Sequence, residues 1–237
     1  MRLQAAASRD DFLGDWAVAA EYRTAARSTG AGWSASLLVD GRLAVLVTEA
    51  QAHGVPAALA TAALTGAFAA ATTTNRTLQL DDLLASLRAS AATVVRGGEP
   101  VAAFVAIFDA AGHSITWACA GHPGASVIPP ASEDASRPTA ILLGAPETTT
   151  DRLGASLDIA LRDTTPLPSG SMVVIASTEL RGTDDAHWLA TLRDHAATGP
   201  QLAKALVDGK LGAGPPQEDL LAVVVRRRPD RRSMATI

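Results

Sequence analysis

Along residues 43–71, LAVLVTEAQAHGVPAALATAALTGAFAAA, the spacing of apolar positions changes once, and the change predicts a strand, a loop and a helix. Leu43, Val45 and Val47 alternate with Ala44 and Leu46 in an unbroken apolar run. That pattern suits a strand covered on both faces, or one packed centrally in a sandwich. The run stops at Thr48 and Glu49, and Gln51 to Gly54 reads as a loop. Pro56 fits a first helical turn, where the missing N–H has no partner to lose, and Leu59, Ala62, Ala63, Gly66 and Ala70 recur at helical spacing. The strand thus hands Glu49 and His53 to a loop, where a rigid scaffold can hold side chains near solvent.

The same rules divide the rest of the chain. Residues 1–10 read as a short helix or frayed end, 16–22 (WAVAAEY) opens a sheet, and 29–32 makes a loop. Strands at 37–39 and 43–47 flank Asp40-Gly41, a hairpin signal. After a connection at 75–80, Asp81 is expected to cap a second helix that turns Leu84, Leu87, Ala91 and Val94 to one side and ends at Gly97-Gly98. Residues 101–108 and 114–118 form a second hairpin about 109–112. A surface loop at 129–138 precedes short strands at 140–144 and 155–161, a turn at 166–170 and a buried strand at 171–177. Helices follow at 184–197 and 201–211, with a last strand at 220–227. Hairpins alternating with helix pairs place the chain in the α+β class.

Composition narrows the options. With 237 residues, 48% hydrophobic and 19% charged, the chain is expected to be one globular domain over 1–237, its core at about 16–227 and a basic tail at 228–237. The Ala- and Thr-rich stretch from residue 55 is expected to pack as a core helix, not to anchor in a membrane. A net charge of −4 argues against a general nucleic-acid surface, and Arg226, Arg227, Arg228, Arg231 and Arg232 read as a solvated end. A single cysteine, Cys119, excludes an internal disulfide, and Met1-Arg2-Leu3 opens no signal peptide, so a reducing cytoplasm is the expected compartment. Cys119 sits in an apolar strand and reads as a small buried hydrophobe, not a nucleophile. His113, His187 and His195 read as surface residues, and His122, ahead of Pro123, as a partner of its local turn. Gly-rich phosphate loops, CxxC spacing and a GxSxG elbow are all absent.

Several segments carry a family resemblance. VTEAQAHGVPAAL resembles the GDVxGHGxPAA segment of the SpoIIE/RsbU-type metal-dependent PP2C phosphatases. PVAAFVAIFDAAGHSITWACAGHPG follows that family's FVTxxYxxLDxxxGxLxYxxAGHPP, and GAGWSAS stands where GGDWYD is usual. The likeness runs from about Trp16 to Arg227. It implies an α-β-β-α sandwich, two mostly antiparallel sheets flanked by helices. In the family an Asp of the first segment bridges two Mg²⁺ or Mn²⁺ ions beside a backbone carbonyl; the matching residues here are Glu49 and Ala50, with His53, Gly54 and Pro56 retained. The opening acids fall on Gly32 and Ala35, the next on Thr178 or Glu179 according to register, and the last on Glu218, with Asp219 beside it. His53 would border the centre, and a role there and a role in the loop are both open.

Two-metal hydrolysis holds its cations about 3.5–4 Å apart, and Mg²⁺ demands near-octahedral oxygen ligands at about 2.0–2.1 Å. Lengthening some acids and deleting others should lower cation affinity severely. The sequence therefore predicts a catalytically impaired pseudophosphatase with no metal bound, acting by binding in bacterial phospho-signalling. The resemblance implies a partner-switching pathway, with a phosphorylated STAS-type anti-sigma antagonist as the protein partner. With the chain opening directly on the domain, its signal is expected to arrive through binding or assembly. Two alternatives stand beside this. One is an active Mn²⁺- or Mg²⁺-dependent phosphoserine/phosphothreonine phosphatase using Glu49, Glu179 and Glu218; the other is a structural or assembly module, such as a homodimer.

Overall fold

The computed structural model describes residues 9–25, 30–50, 53–74, 77–94, 101–130, 140–144, 161–182, 184–194, 198–211, 216 and 218–228. One sheet contains β1 (Arg9–Leu13), β2 (Trp16–Arg23), β7 (Ala125–Ile128), β8 (Ile141–Leu143), β10 (Met172–Ala176) and β11 (Leu220–Arg227), in the order β1-β2-β11-β10-β7-β8. The other contains β3 (Ala31–Leu37), β4 (Leu43–Ala50), β5 (Val101–Asp109), β6 (Ser114–Ala120) and β9 (Leu161–Pro166), in the order β3-β4-β5-β6-β9. Neighbouring strands are antiparallel throughout both sheets. α1 (Val55–Thr74) and α2 (Leu80–Val94) lie on the second sheet; α3 (Thr178–Arg181), α4 (Asp185–Asp194) and α5 (Gly199–Leu211) follow β10 on the side of the first.

Three apolar layers hold this stack together. Trp16, Val45, Val47, Phe104, Phe108, Val173 and Val223 fill the gap between the sheets, where Trp16 meets Phe108 edge-on at 5.4 Å. On the far side of β4 and β5, Ala44, Leu46 and Val105 lie under Leu64 and Phe68 of α1 and Leu83 and Leu87 of α2. On the far side of β10 and β11, Val174 and Val224 lie under Trp188, Leu192, Leu202 and Val207. The central strands β4, β5, β10 and β11 are apolar along their middles, with polar residues only toward their ends, because both faces are covered. This is the α-β-β-α sandwich expected from the sequence.

Local boundaries differ from expectation for physical reasons. Arg9 and Asp10, the last residues of the expected helix or frayed end, open an edge strand (residues 1–8 lie outside the described residues), and β3 already begins at Ala31, inside the expected loop. α2 starts at Leu80, so Asp81 lies in its first turn, and it is Asp82 that accepts the N–H of Gln79, at 3.2 Å. A strand runs over Leu161–Pro166, into the expected turn, while residues 155–160 of the expected strand lie outside the described residues. Arg226 and Arg227 belong to β11, where Arg227 Nη1 lies 2.7 Å from His113 Nδ1 and donates to Leu167 O at 3.3 Å, so this arginine run starts as structure. The helix end at Gly97-Gly98, most of the 129–138 loop, His195, Arg231 and Arg232 lie outside the described residues.

α1 carries no charged residue and, by length and mean hydropathy (1.5), is apolar enough to cross a membrane. Here it packs on β3, β4 and α2, burying Ala57, Ala60, Thr61, Leu64, Phe68 and Thr72. Its buried face is not the Leu59–Gly66–Ala70 stripe, for Leu59 is 59% exposed. A helix apolar on every side offers no polar face to set its phase.

Candidate functional site

Side chains alternate along a strand, so Glu49 shares the face of Val45 and Val47 and looks into the end of the gap between the sheets. Its backbone pairs with Ala31 of β3 and Ala102 of β5. From there its Oε1 crosses to the other sheet and accepts the N–H of Thr178, the first residue of α3, at 2.8 Å. His122 Nε2 lies 3.3 Å from the same oxygen, without the alignment of a well-formed hydrogen bond. His122 Nδ1 accepts the N–H of Gly124 at 3.1 Å, which leaves the proton of the neutral ring on Nε2. Burial, reinforced by the positive charge of Arg181, pushes the imidazole pKa down to about 3, so the ring is neutral at ordinary pH. The thiol of Cys119 donates to His122 O at 2.7 Å, and burial raises its pKa to about 12.

The other candidate positions scatter. Gly32 faces the helices: a Cβ there would stand 2.4 Å from Thr61 Cγ2 of α1. Ala35 does face the gap between the sheets, but it pairs with Val45, four residues from the Ala31–Glu49 pair and so roughly 13 Å along the strand. Thr178 is the residue beside Glu49, whereas Glu179 points to α5, with Oε1 3.9 Å from Lys210 Nζ. Glu218 is exposed. Asp219 is buried and acts as a tether, accepting the Tyr22 hydroxyl at 2.7 Å and the N–H of Ala25 at 2.8 Å. Ala50 is buried in β4; His53 and Gly54 are exposed, and the Gly54 carbonyl receives the N–H of Ala58 to open α1.

The family model for stage II sporulation protein E (SpoIIE) matches residues 39–228. The chain belongs to the SpoIIE family. Among solved structures, this SpoIIE-family chain resembles the RsbU and RsbW domains of Rv1364c from Mycobacterium tuberculosis, with a TM-score of 0.72 and 21% identity over 91% of this chain and 61% of that one. It also resembles RsbX in complex with magnesium (TM-score 0.70, 12% identity, 92% of this chain and 98% of that one). A third likeness is to the PP2C phosphatase domain with a regulatory fragment of SpoIIE from Bacillus subtilis (TM-score 0.67, 12% identity, 91% and 63%). The chain therefore spans less than two thirds of the first of these structures. No curated protein matches by sequence. At such identities the structural likeness shows the fold alone, a PP2C-like sandwich.

The side chains do not fit a paired-cation centre of the SpoIIE family. Glu49 is turned to a backbone N–H and an imidazole, Asp219 to Tyr22 and Ala25, and Glu179 to a lysine. Among the described residues no three His, Cys, Asp or Glu side chains come together as a ligand set. Sequence reasoning named Thr178 as a candidate position, though not for its N–H, and missed Arg181. Both sit on a helix of four residues, too short to show a period.

Proposed function

We propose that this SpoIIE-family protein is a pseudophosphatase that binds a phosphorylated signalling protein without turning it over. The carrying observation is the engagement of Glu49. At the place where the family's bridging acid is expected, its carboxylate oxygen is a tie between the two sheets. Glu49 Oε1 is already committed to the exposed N–H of Thr178, and a cation on that oxygen would compete with this charge-assisted bond. The partner most in keeping with the fold is a phosphorylated STAS-type regulator of a partner-switching pathway. Likeness to a structure containing RsbU and RsbW domains, and to one from a bacterial stressosome, supports that class of partner.

The test is calorimetric titration with Mn²⁺ and Mg²⁺ alongside hydrolysis of an aryl phosphate. Flat metal traces, no turnover, and binding of a phosphorylated STAS domain are expected. Mn²⁺-dependent turnover abolished by Glu49→Ala would instead establish an active phosphatase.

A further inference from the structure

At the end of the gap between the sheets, two N–H groups meet the carboxylate of Glu49. One belongs to Thr178 and donates to Oε1 at 2.8 Å. The other is on His122, whose Nε2 lies 3.3 Å from the same oxygen. Because Nδ1 accepts the N–H of Gly124, the proton of the neutral ring is on Nε2. The ring is 1% exposed, and Nε2 completes no hydrogen bond among the described residues. A buried donor thus stands beside an oxygen that only half satisfies it. Native proteins complete such groups with water, an ion or a ligand.

A fixed cation backs this pair. The Arg181 side chain is 2% exposed, and next to burial its charge is the strongest influence on the His122 imidazole. Asp185, half-buried, accepts from Nη2 at 2.6 Å and offsets part of that charge. An imidazole N–H, a backbone N–H and a neighbouring guanidinium are a donor set suited to an oxyanion. Glu49 is the anion in place. Its side chain is 14% exposed, so the same spot is open to small solutes from the mouth of the gap.

We propose that the end of the inter-sheet gap is a carboxylate-binding site, and that Glu49 is its built-in ligand, tethered through β4. A monocarboxylate matches because it brings the same single charge as Glu49, whereas a phosphate dianion adds one more. In the native chain the site is closed from within, and an acidic group of another molecule gains these donors only by displacing Glu49. The inference rests on the contacts of Glu49 and not on the pseudophosphatase reading; its test involves neither metal nor turnover, so either can fail without the other.

Glu49→Ala removes Cγ, Cδ and both carboxylate oxygens, the heavy atoms of acetate. The test is thermal unfolding of the full Glu49→Ala and parent chains in acetate, with chloride and phosphate at matched ionic strength and acetamide as the neutral analogue. Acetate at about ten times its Kd should raise the midpoint of Glu49→Ala by about 3–6 °C over chloride and leave the parent unchanged. The Nε2–H resonance of His122 should move with acetate in the variant only. If Glu49→Ala is unfolded in chloride, refolding in acetate supports the site and failure to refold there overturns it. No acetate shift, an equal shift in the parent, or acetamide or phosphate acting as strongly as acetate would also overturn it.

Discussion

Replacing Gly32 by Ala probes the close approach of α1 at the position aligned with the opening acid. The new Cβ would stand 2.4 Å from Thr61 Cγ2, against a carbon–carbon optimum of about 3.5–4.0 Å. Either α1 or β3 must give way, and overpacking of this kind costs about 1–3 kcal/mol. A less flexible unfolded chain would return about 0.4–1 kcal/mol, so the clash wins. Thr61→Ser removes the offending methyl but keeps a hydroxyl for the 2.5 Å bond to Gly30 O. In that background the nearest remaining neighbours of the new Cβ are Thr48 Oγ1 at 3.5 Å and the Cβ of residue 61 at 3.8 Å, both ordinary contacts. Thr61→Ser alone should cost about 0.5–1.5 kcal/mol, as for other single-methyl deletions. The double variant should then be no less stable than Thr61→Ser, a coupling of about 1–3 kcal/mol measured by urea unfolding. Additive costs, or a Gly32→Ala protein as stable as the parent, would refute the packing argument. The same geometry predicts that Gly32→Asp restores a carboxylate on the wrong side of the sheet.

Three further variants test the buried polar groups. The imidazole of His122 titrates near 3 in the folded chain and near 6.5 when unfolded, so the unfolded state binds the extra proton between those values. Stability should therefore fall as pH drops through that window, by about 2 kcal/mol at pH 5, and His122→Gln should flatten the pH 5–6.5 part of a urea-midpoint profile. Asp219→Ala strands the N–H of Ala25 and the Tyr22 hydroxyl. A loss of about 2–3 kcal/mol is expected, seen as a thermal midpoint lowered by roughly 4–12 °C, and Asp219→Asn should cost less.

How much could be read beforehand depended on how locally each feature is encoded. β11 was legible to the residue because it is covered on both faces, and the β5–β6 hairpin because two apolar runs flank a polar turn. β9 past Leu161 was read as a turn because LRDTTP is a polar edge strand, held by its pairing with β6, including a contact between Thr164 and Thr116, and not by burial of its own. At the site, the sequence pointed to Glu49 as an acid leaving a buried strand. It could not place the partners of Glu49, because the N–H of Thr178 lies 129 positions away and arrives only when the sheets stack. Nor does any local pattern announce a guanidinium sealed beneath α3. The Gly32–Thr61 contact is likewise a matter of two elements meeting, invisible in either alone.

The order of strands in the first sheet has a consequence for biosynthesis. β11, the last of the described strands to leave the ribosome, lies between β2 and β10 and pairs with both. The second sheet needs nothing beyond residue 166 and can close while translation continues. Until β11 emerges, β2 and β10 each present an open edge of the kind that recruits foreign strands, so the nascent chain has a late interval in which half of the sandwich awaits its keystone.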